Sequence, residues 1–272
     1  MDPLTDLKGL CNWGLVDLIK LCQLAYSPDQ FIADEVRALG LSLTRVIHAG
    51  PADAIVVEDE HRFVVAIRGT QPGQLRDVIA DGRFCPERSD YGGLVHRGFW
   101  NHAQSLWEDL VDVGILETRK PLTICGHSLG GAAATHIALY AGLNRSSGRS
   151  NPHLLTVGAP RIGTSGYHRQ VRKHTASITR VVNHRDPVPL FLSWLYSHPR
   201  SRVVYFDHNG LAHLNPSFRK RLRHRGGSYG KVAKTFLSGA PCQAAREMFP
   251  AHNHYMTRYV QLCQDLCRRV HS

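Results

Sequence analysis

The sequence predicts an α/β fold with a mostly parallel central sheet and helices on both faces. Short β-branched runs bounded by Gly, Pro or charged residues recur along the chain and indicate buried strands. Helical patterns lie between these runs, so consecutive strands are joined by the crossover connections that parallel pairing requires. The composition, 43% hydrophobic and 20% charged, is near the globular average and argues against a disordered or collagen-like chain.

The predicted elements follow one another in alternation. The strands are predicted at residues 54–58, 63–67, 122–125, 154–157, 179–183 and 203–206. The helices are predicted at residues 12–26, 30–39, 99–116, 130–143, 166–174 and 254–270. No internal repeat, low-complexity run or Pro/Ser-rich linker separates them, so we expect one domain over residues 1–272. A membrane-spanning helix is not expected, because no stretch of about 18 apolar residues occurs.

The net charge of +11 is concentrated in one part of the chain. Residues 161–234 hold 15 Lys or Arg against Asp186 and Asp207, a surplus of 13 positive charges. Such a segment is either a solvated face or a surface that attracts anionic phospholipid, at about 1 kcal/mol for each well-placed cation. No nucleic-acid partner is expected, because no recognition motif or aromatic stacking pattern accompanies the charge.

The seven cysteines are scattered and mostly flanked by apolar residues, which is typical of reduced core thiols rather than of a disulfide framework. The first residues include Asp2 and Asp6 and show no basic segment leading into an apolar one, unlike a signal peptide. We therefore expect an intracellular protein, or one that is exported without a leader.

The most informative pattern is PLTICGHSLGGAAA at residues 121–134. A bare G-x-S-x-G motif is weak, but here it follows an apolar strand and opens an alanine-rich helix. That setting holds a serine on a sharp strand-to-helix turn. Larger side chains at Gly126 and Gly130 would collide as the chain reverses. Ser128 is therefore the candidate nucleophile.

A serine hydroxyl needs a base to take its proton and an acid to orient that base. In this arrangement they follow in the chain order Ser, Asp, His. Asp186 is the candidate acid, because it ends a predicted strand and the proline after it favours an extended conformation. Asp207 and Asp265 are the competing carboxylates.

The base is expected from the C-terminal part of the chain. His254 lies at the start of the last predicted helix, where it can reach across the strand ends. His252 is the alternative, and His271 lies too close to the end of the sequence.

The oxyanion of an acyl-transfer reaction needs donors, commonly two backbone amides. One candidate is the amide of Leu129, directly after the nucleophile. The other is Thr70, in the loop after the strand at 63–67, with its hydroxyl as an additional donor.

Six segments in order along the chain resemble the class 3 lipases, the fungal-type triacylglycerol lipase family. They are AYS at 25–27, VAIRGT at 65–70, VHRGF at 95–99, GHSLGGA at 126–132, VGAPRIG at 157–163 and NHRDPVP at 183–189. The resemblance implies the α/β-hydrolase fold. It also implies Ser128 as nucleophile, Asp186 as acid, a histidine near 254 as base, and an oxyanion hole at Thr70 and Leu129.

Two spacings in that family bear on the base. Relatives with a tyrosine five residues after the histidine match His254 and Tyr259, and relatives with a tyrosine three residues after it match His252 and Tyr255. We choose His254.

Relatives in this family carry a lid helix after the oxyanion loop. Residues 74–81 are the matching candidate here, because Leu75, Val78 and Ile79 form one apolar stripe at i, i+3 and i+4. The alternative is a surface helix packed on the core.

Together these features predict a hydrolase that cleaves carboxylic esters of lipids without metal or organic cofactor. Two alternatives stay open, a phospholipase A1 that acts on anionic membranes and a catalytically idle relative that binds a membrane or a partner. Residues 207–250 match no motif of the family, so their role is open.

Overall fold

The structure is a computed structural model that describes residues 3–12, 14–70, 86–190, 195–217, 219–220 and 255–271. Its helices are α1 (Pro3–Asn12), α2 (Leu15–Leu24), α3 (Asp29–Ala38), α4 (Arg97–Asp112), α5 (Leu129–Asn144), α6 (Ser165–Lys173) and α7 (Met256–His271). Its strands are β1 (Ser42–Ala49), β2 (Ala52–Glu58), β3 (Phe63–Ile67), β4 (Pro86–Arg88), β5 (Leu94–His96), β6 (Leu122–His127), β7 (His153–Val157), β8 (Ser177–Asn183), β9 (Arg202–Phe206) and β10 (Ala212–Leu214).

Eight of these strands form one sheet in the order β1-β2-β3-β6-β7-β8-β9-β10. The strands from β3 to β9 in that order pair in parallel, while β1, β2 and β10 add antiparallel pairs at the two edges. The carboxyl ends of the parallel strands therefore share one end of the sheet. The prediction of a mostly parallel sheet is confirmed.

Helices cover both faces of this sheet. Side chains of α4, α5 and α6 form one core cluster, in which Leu106, Ala138 and Tyr167 are fully buried. Side chains of α1, α2, α3 and α7 form the other, in which Ile19 and Tyr259 are fully buried. Each strand in the middle of the sheet is therefore enclosed on both sides, which explains the continuous apolar runs of β3 and β6.

Helix α5 lies closest to the sheet. All its residues from Leu129 to Ala141 are buried, and its alanines and glycines let the helix backbone approach the strands. This close approach fixes where the helix begins, directly after β6.

A disulfide joins Cys11 on α1 to Cys267 on α7, across 256 positions of the sequence. The expectation of reduced thiols is therefore wrong for these two residues, although Cys22, Cys125 and Cys263 are free and buried as expected. Long-range pairing of this kind leaves no signal in the spacing of cysteines along the chain.

In the part of the chain that the structure describes, no helix has both the length and the apolar character needed to cross a bilayer.

Candidate active site

Ser128 stands on the sharp turn between β6 and α5. Its backbone has φ 57° and ψ −126°, a left-handed conformation that is costly for a residue with a side chain. A hydrogen bond from the N–H of Ser128 to the carbonyl oxygen of Val157, at 2.9 Å, stabilises this strained conformation. A Cβ at Gly130 would run into the backbone of Ile67 and Arg68, so glycine is required where α5 crosses the end of β3.

The first backbone amide of α5 directly follows this turn. Helix N-termini leave their first N–H groups without intrahelical acceptors and carry partial positive charge. Leu129 is the first residue of α5, so its N–H has no acceptor within the helix and lies next to the nucleophile. Ser128 is fully buried, and among the described residues no group hydrogen-bonds its Oγ.

The loop after β3 is tied to the same turn. The hydroxyl of Tyr26 accepts the N–H of Gly69 at 3.0 Å and also bonds Nδ1 of His127 at 2.8 Å. A Cβ at residue 69 would lie 2.5 Å from the carbonyl oxygen of His127 and 3.0 Å from Cβ of Ser128. Glycine at 69 therefore lets the Thr70 loop come within contact of the nucleophile.

Two further contacts hold this loop in place. Arg68 forms an ion pair with Asp53 of β2, and its N–H donates to the Asp53 carbonyl at 2.9 Å. Burial raises the pKa of Tyr26, so its hydroxyl stays protonated at ordinary pH. The loop is thus fixed by β2 on one side and by Tyr26 on the other.

Asp186 follows β8 and is 1% exposed. Its Oδ1 accepts the N–H of Val188 at 2.9 Å, and its Oδ2 accepts the hydroxyl of Tyr259 at 2.6 Å. The same hydroxyl accepts the N–H of Asn183 at 3.1 Å, so Tyr259 joins α7 to the end of β8. Burial and the neighbouring carboxylate raise the pKa of Tyr259 well above its usual value, so the hydroxyl remains a donor.

Ser128 and Asp186 lie on the two sides of β7. The N–H of Ser128 is bonded to Val157, the last residue of β7. The next residue, Gly158, approaches so closely that a Cβ there would lie 2.6 Å from Oδ2 of Asp186. Both candidate residues therefore meet at the carboxyl end of one strand, where ligands bind in open α/β sheets.

The two competing carboxylates have other partners. Asp207 accepts the Nε2 hydrogen of His213 at 2.7 Å and two backbone N–H groups in the turn between β9 and β10. Asp265 pairs with Arg268 on α7. Of the three candidates, Asp186 is the one that lies beside β7 and the nucleophile.

A cavity of about 300 Å³ opens beside the turn. Thr70, His127, Tyr26, Tyr255 and Met256 are among its lining residues. Thr70 thus borders a largely apolar space and lies on the loop that contacts the Ser128 turn.

Several predicted residues lie outside the described residues. They are His254 and its alternative His252, and the lid residues Leu75, Val78 and Ile79. Within the described ranges, no group of three or more His, Cys, Asp or Glu side chains is placed to hold a metal ion.

Two tyrosines that support the candidate site carry no local sequence signal for that position. The sequence places Tyr259 at a family spacing from a histidine and Tyr26 within the AYS segment, and neither pattern predicts their partners. Their hydrogen bonds cross 73 and 101 positions respectively, so local pattern could not reveal them.

The basic segment is divided between the two ends of the sheet. Arg172 and Lys173 end α6 and are exposed, and exposed Arg202 begins β9, so these cations lie opposite the end that carries Ser128. Arg185 lies at the same end as Ser128 and is exposed. Of these four cations, Arg185 is the one at the end that carries Ser128.

Comparison with known proteins agrees with this geometry. The family model described as Lipase (class 3) matches residues 64–195, which include the Thr70 loop, the Ser128 turn and Asp186. The resemblance to the class 3 lipase family is therefore confirmed over residues 64–195.

Matches to individual curated relatives cover only part of this chain and of each relative. A secreted mono- and diacylglycerol lipase 1 from Fusarium solani is 33% identical over 169 residues, 58% of this chain and 48% of the relative. A chloroplastic phospholipase A1-Igamma2 from Arabidopsis thaliana is 34% identical over 120 residues, 35% of this chain and 22% of the relative. The chain thus spans about half, or less, of these curated relatives.

Solved structures show the same fold. The lipase of Rhizomucor miehei in complex with its propeptide superimposes with a TM-score of 0.63 at 22% sequence identity. The match covers 75% of the present chain and 70% of the Rhizomucor chain. At this identity the likeness concerns the α/β-hydrolase fold.

Proposed function

We propose that this protein hydrolyses carboxylic esters of lipids through an acyl-serine intermediate. Ser128 is the nucleophile, His254 the general base, and Asp186 the acid that orients it. Thr70 and Leu129 donate to the oxyanion. No metal or organic cofactor has a step in this reaction.

The observation that carries the proposal is the strained turn at Ser128. It brings a buried serine, the first amide of α5 and the Thr70 loop to one point. A strained backbone persists only where the surrounding structure holds it, and such positions cluster at active sites.

The reaction proceeds in two halves. His254 takes the Ser128 proton as Oγ attacks the ester carbonyl, and the carbonyl oxygen becomes an oxyanion held by backbone donors. The base returns its proton to the departing alcohol, which leaves an acyl-serine. Water then attacks the acyl group by the same steps and releases the fatty acid.

Two observations support a lipid ester as substrate. The cavity beside Thr70 is lined largely by apolar surface. The printed names of the relatives describe a mono- and diacylglycerol lipase and a phospholipase A1. We propose that residues 1–272 act as one domain.

The disulfide bears on where the protein works. Disulfides persist in oxidising compartments and are rare in the cytosol. The Cys11–Cys267 bond therefore favours an oxidising compartment over the intracellular location that the sequence predicts.

The phospholipase A1 alternative has one specific observation in its favour, the Arabidopsis relative. The alternative also assumes attraction to anionic membranes. That assumption has less support, because Arg172, Lys173 and Arg202 lie at the end of the sheet opposite Ser128. Fatty acid release from phospholipid, with none from glycerides, would favour this alternative.

The test uses p-nitrophenyl esters of short and long acyl chains. Ser128→Ala should abolish turnover, while Ser105→Ala, a matched change within α4, should leave it intact. His254→Ala and His252→Ala are measured in parallel, and the true base should lose several orders of magnitude in kcat. Equal turnover by wild type and Ser128→Ala would refute the proposal. An inactive wild type would favour the catalytically idle relative.

A further inference from the structure

A second cavity lies at the end of the sheet opposite Ser128. Its volume is about 360 Å³, which falls within the range of small-molecule sites, roughly 300–1,000 Å³. Its walls come from α1 and from the first residues of β7, β8 and β9. These strands run parallel to β6, so their first residues lie away from the nucleophile. The proposed ester hydrolysis uses none of the residues that line this cavity.

The strand wall of the cavity consists of polar side chains on three adjacent strands. His153 begins β7, Ser177 begins β8 and Arg202 begins β9. In the register of the sheet, His153 lies beside Ser177, and Arg202 lies beside Thr179. Side chains two residues apart on a strand point to the same face, so Ser177 and Thr179 share one face. All four side chains therefore meet in one space.

These side chains differ in depth and in charge. His153 and Ser177 share a hydrogen bond of 2.8 Å between Nδ1 and Oγ. Burial lowers the pKa of His153, so its imidazole is neutral at pH 7. Thr179 is 3% exposed, whereas Ser177 and Arg202 are exposed. The strand wall thus offers neutral polar groups, with one guanidinium at the opening.

Helix α1 forms the other wall. Asp6, Gly9 and Leu10 line the cavity at positions i, i+3 and i+4, and residues at this spacing share one face of a helix. The Cys11–Cys267 disulfide joins the end of this helix to α7. The wall that carries Asp6 is therefore covalently fixed to the body of the protein.

Glycine at position 9 keeps the cavity open. Gly9 lies inside α1, where glycine weakens a helix relative to alanine. A Cβ there would meet no atom within 4 Å, and the φ of Gly9 is not positive. Neither close packing nor backbone conformation therefore requires glycine. Its effect at this position is to leave the space between α1 and the strands free of a side chain.

The charges in the lining indicate the chemistry of the ligand. Among the described lining residues, Asp6 and Arg202 are the two that are charged at pH 7. Neither is ion-paired with another described residue. A guanidinium presents paired N–H donors that match the oxygens of a phosphate or carboxylate. A purely anionic ligand would share the cavity with Asp6 and a purely cationic one with Arg202, whereas a zwitterion can place an opposite charge on each.

We propose that this cavity binds a small soluble zwitterion, with its phosphate or carboxylate on Arg202 and its ammonium group on Asp6. The hydroxyl groups of Ser177 and Thr179 hydrogen-bond the ligand between its two ends. The inference goes beyond the proposed function and does not rest on it, because the cavity and Ser128 lie at opposite ends of the sheet.

Isothermal titration calorimetry of the full chain with phosphoethanolamine tests the proposal. Inorganic phosphate and ethanolamine each carry one of its two ends, and each should bind about tenfold more weakly. Arg202→Gln and Asp6→Asn should each weaken the binding of phosphoethanolamine about tenfold, which corresponds to the loss of one charge-assisted hydrogen bond. The matched control is Arg172→Gln, which changes an exposed cation on α6 at the same end of the sheet and should bind like wild type.

Variants at Gly9 test the cavity separately from its charges. Gly9→Phe should fill the space and abolish binding, while Gly9→Ala, whose Cβ meets open space, should retain it. Thermal unfolding by circular dichroism shows whether each variant is folded. Inorganic phosphate that binds as tightly as phosphoethanolamine would overturn the proposal and leave a simple anion site. Wild type that does not bind phosphoethanolamine, or binding that survives both Arg202→Gln and Gly9→Phe, would also overturn it.

Discussion

Replacement of Tyr259 by phenylalanine tests how Asp186 is held. The change removes one oxygen from a fully buried side chain and with it two hydrogen bonds, one to Oδ2 of Asp186 at 2.6 Å and one from the N–H of Asn183 at 3.1 Å. A hydrogen bond to a charged group is worth about 1.5–3 kcal/mol, and a buried N–H left without an acceptor costs about 1–3 kcal/mol. We expect the free energy of unfolding to fall by about 3 kcal/mol in total. For a chain of this size, Tm should fall by roughly 5 °C.

The catalytic effect should appear well below that Tm. Asp186 keeps its bond to the N–H of Val188 but loses the donor on Oδ2, so its orientation toward the base is less well defined. We expect kcat to fall about tenfold with KM unchanged, less than the loss of about 10⁴ seen when an acid of this kind is replaced by its amide.

Tyr167→Phe is the matched control. Tyr167 is also fully buried, and its hydroxyl bonds Nδ1 of His136, away from Asp186. This variant should lose stability but keep its kcat. Thermal unfolding by circular dichroism and steady-state ester hydrolysis measure the two effects separately. Full kcat in Tyr259→Phe, or equal loss of kcat in Tyr167→Phe, would refute the reasoning.

Three further predictions concern the oxyanion loop, acid stability and the disulfide. Gly69→Ala places a Cβ 2.5 Å from the His127 carbonyl oxygen, so the loop must move. Steady-state ester hydrolysis should show kcat falling about 10²-fold, and Tm should fall as well because the neighbour is backbone; unchanged kcat would contradict the reasoning. Burial lowers the pKa of His136 to about 3, so the unfolded chain, with a histidine pKa near 6.5, binds a proton that the folded chain excludes. The contribution of this histidine to stability should therefore be constant above about pH 6.5 and fall by roughly 1.4 kcal/mol per pH unit between pH 6.5 and 3. Urea unfolding across that range measures the slope, and a flat profile would contradict the prediction. Cys11→Ser and Cys267→Ser should each lower the free energy of unfolding by about 2–5 kcal/mol, and dithiothreitol should lower the Tm of wild type but not of the variants.

The parts of the fold that local sequence pattern specifies were predicted well. Strand β3 has the predicted bounds, and β6 and α5 differ from theirs by one or two residues, because a buried strand or helix bears an apolar pattern along its own length. The Ser128 turn could be predicted for the same reason, since strand, glycines, serine and helix are consecutive in the chain.

The edge of the sheet was not predicted. Strand β1 pairs on one side only, and Ile47 is its one buried residue, so its sequence shows no clear alternation. Its position matters for function, because His48 and Asp53 hold the start of α3 and the Arg68 loop.

Local sequence pattern could not predict contacts between residues that are far apart in the chain. The Tyr26–His127 and Tyr259–Asp186 hydrogen bonds and the Cys11–Cys267 disulfide join residues that only the tertiary fold brings together. The resemblance to a family supplied candidates for the site, but not the groups that support them. The choice between His254 and His252 and the lid at Leu75, Val78 and Ile79 stay predictions.

The most direct measurement is labelling of folded protein with a fluorophosphonate, followed by mass spectrometry of the modified peptide. A serine activated by a base and an oxyanion hole reacts with such a reagent, whereas an ordinary serine does not. We expect one label, on Ser128, that is lost in Ser128→Ala and after heat unfolding. Folded wild type that stays unlabelled, or a label on another residue, would contradict the central claim.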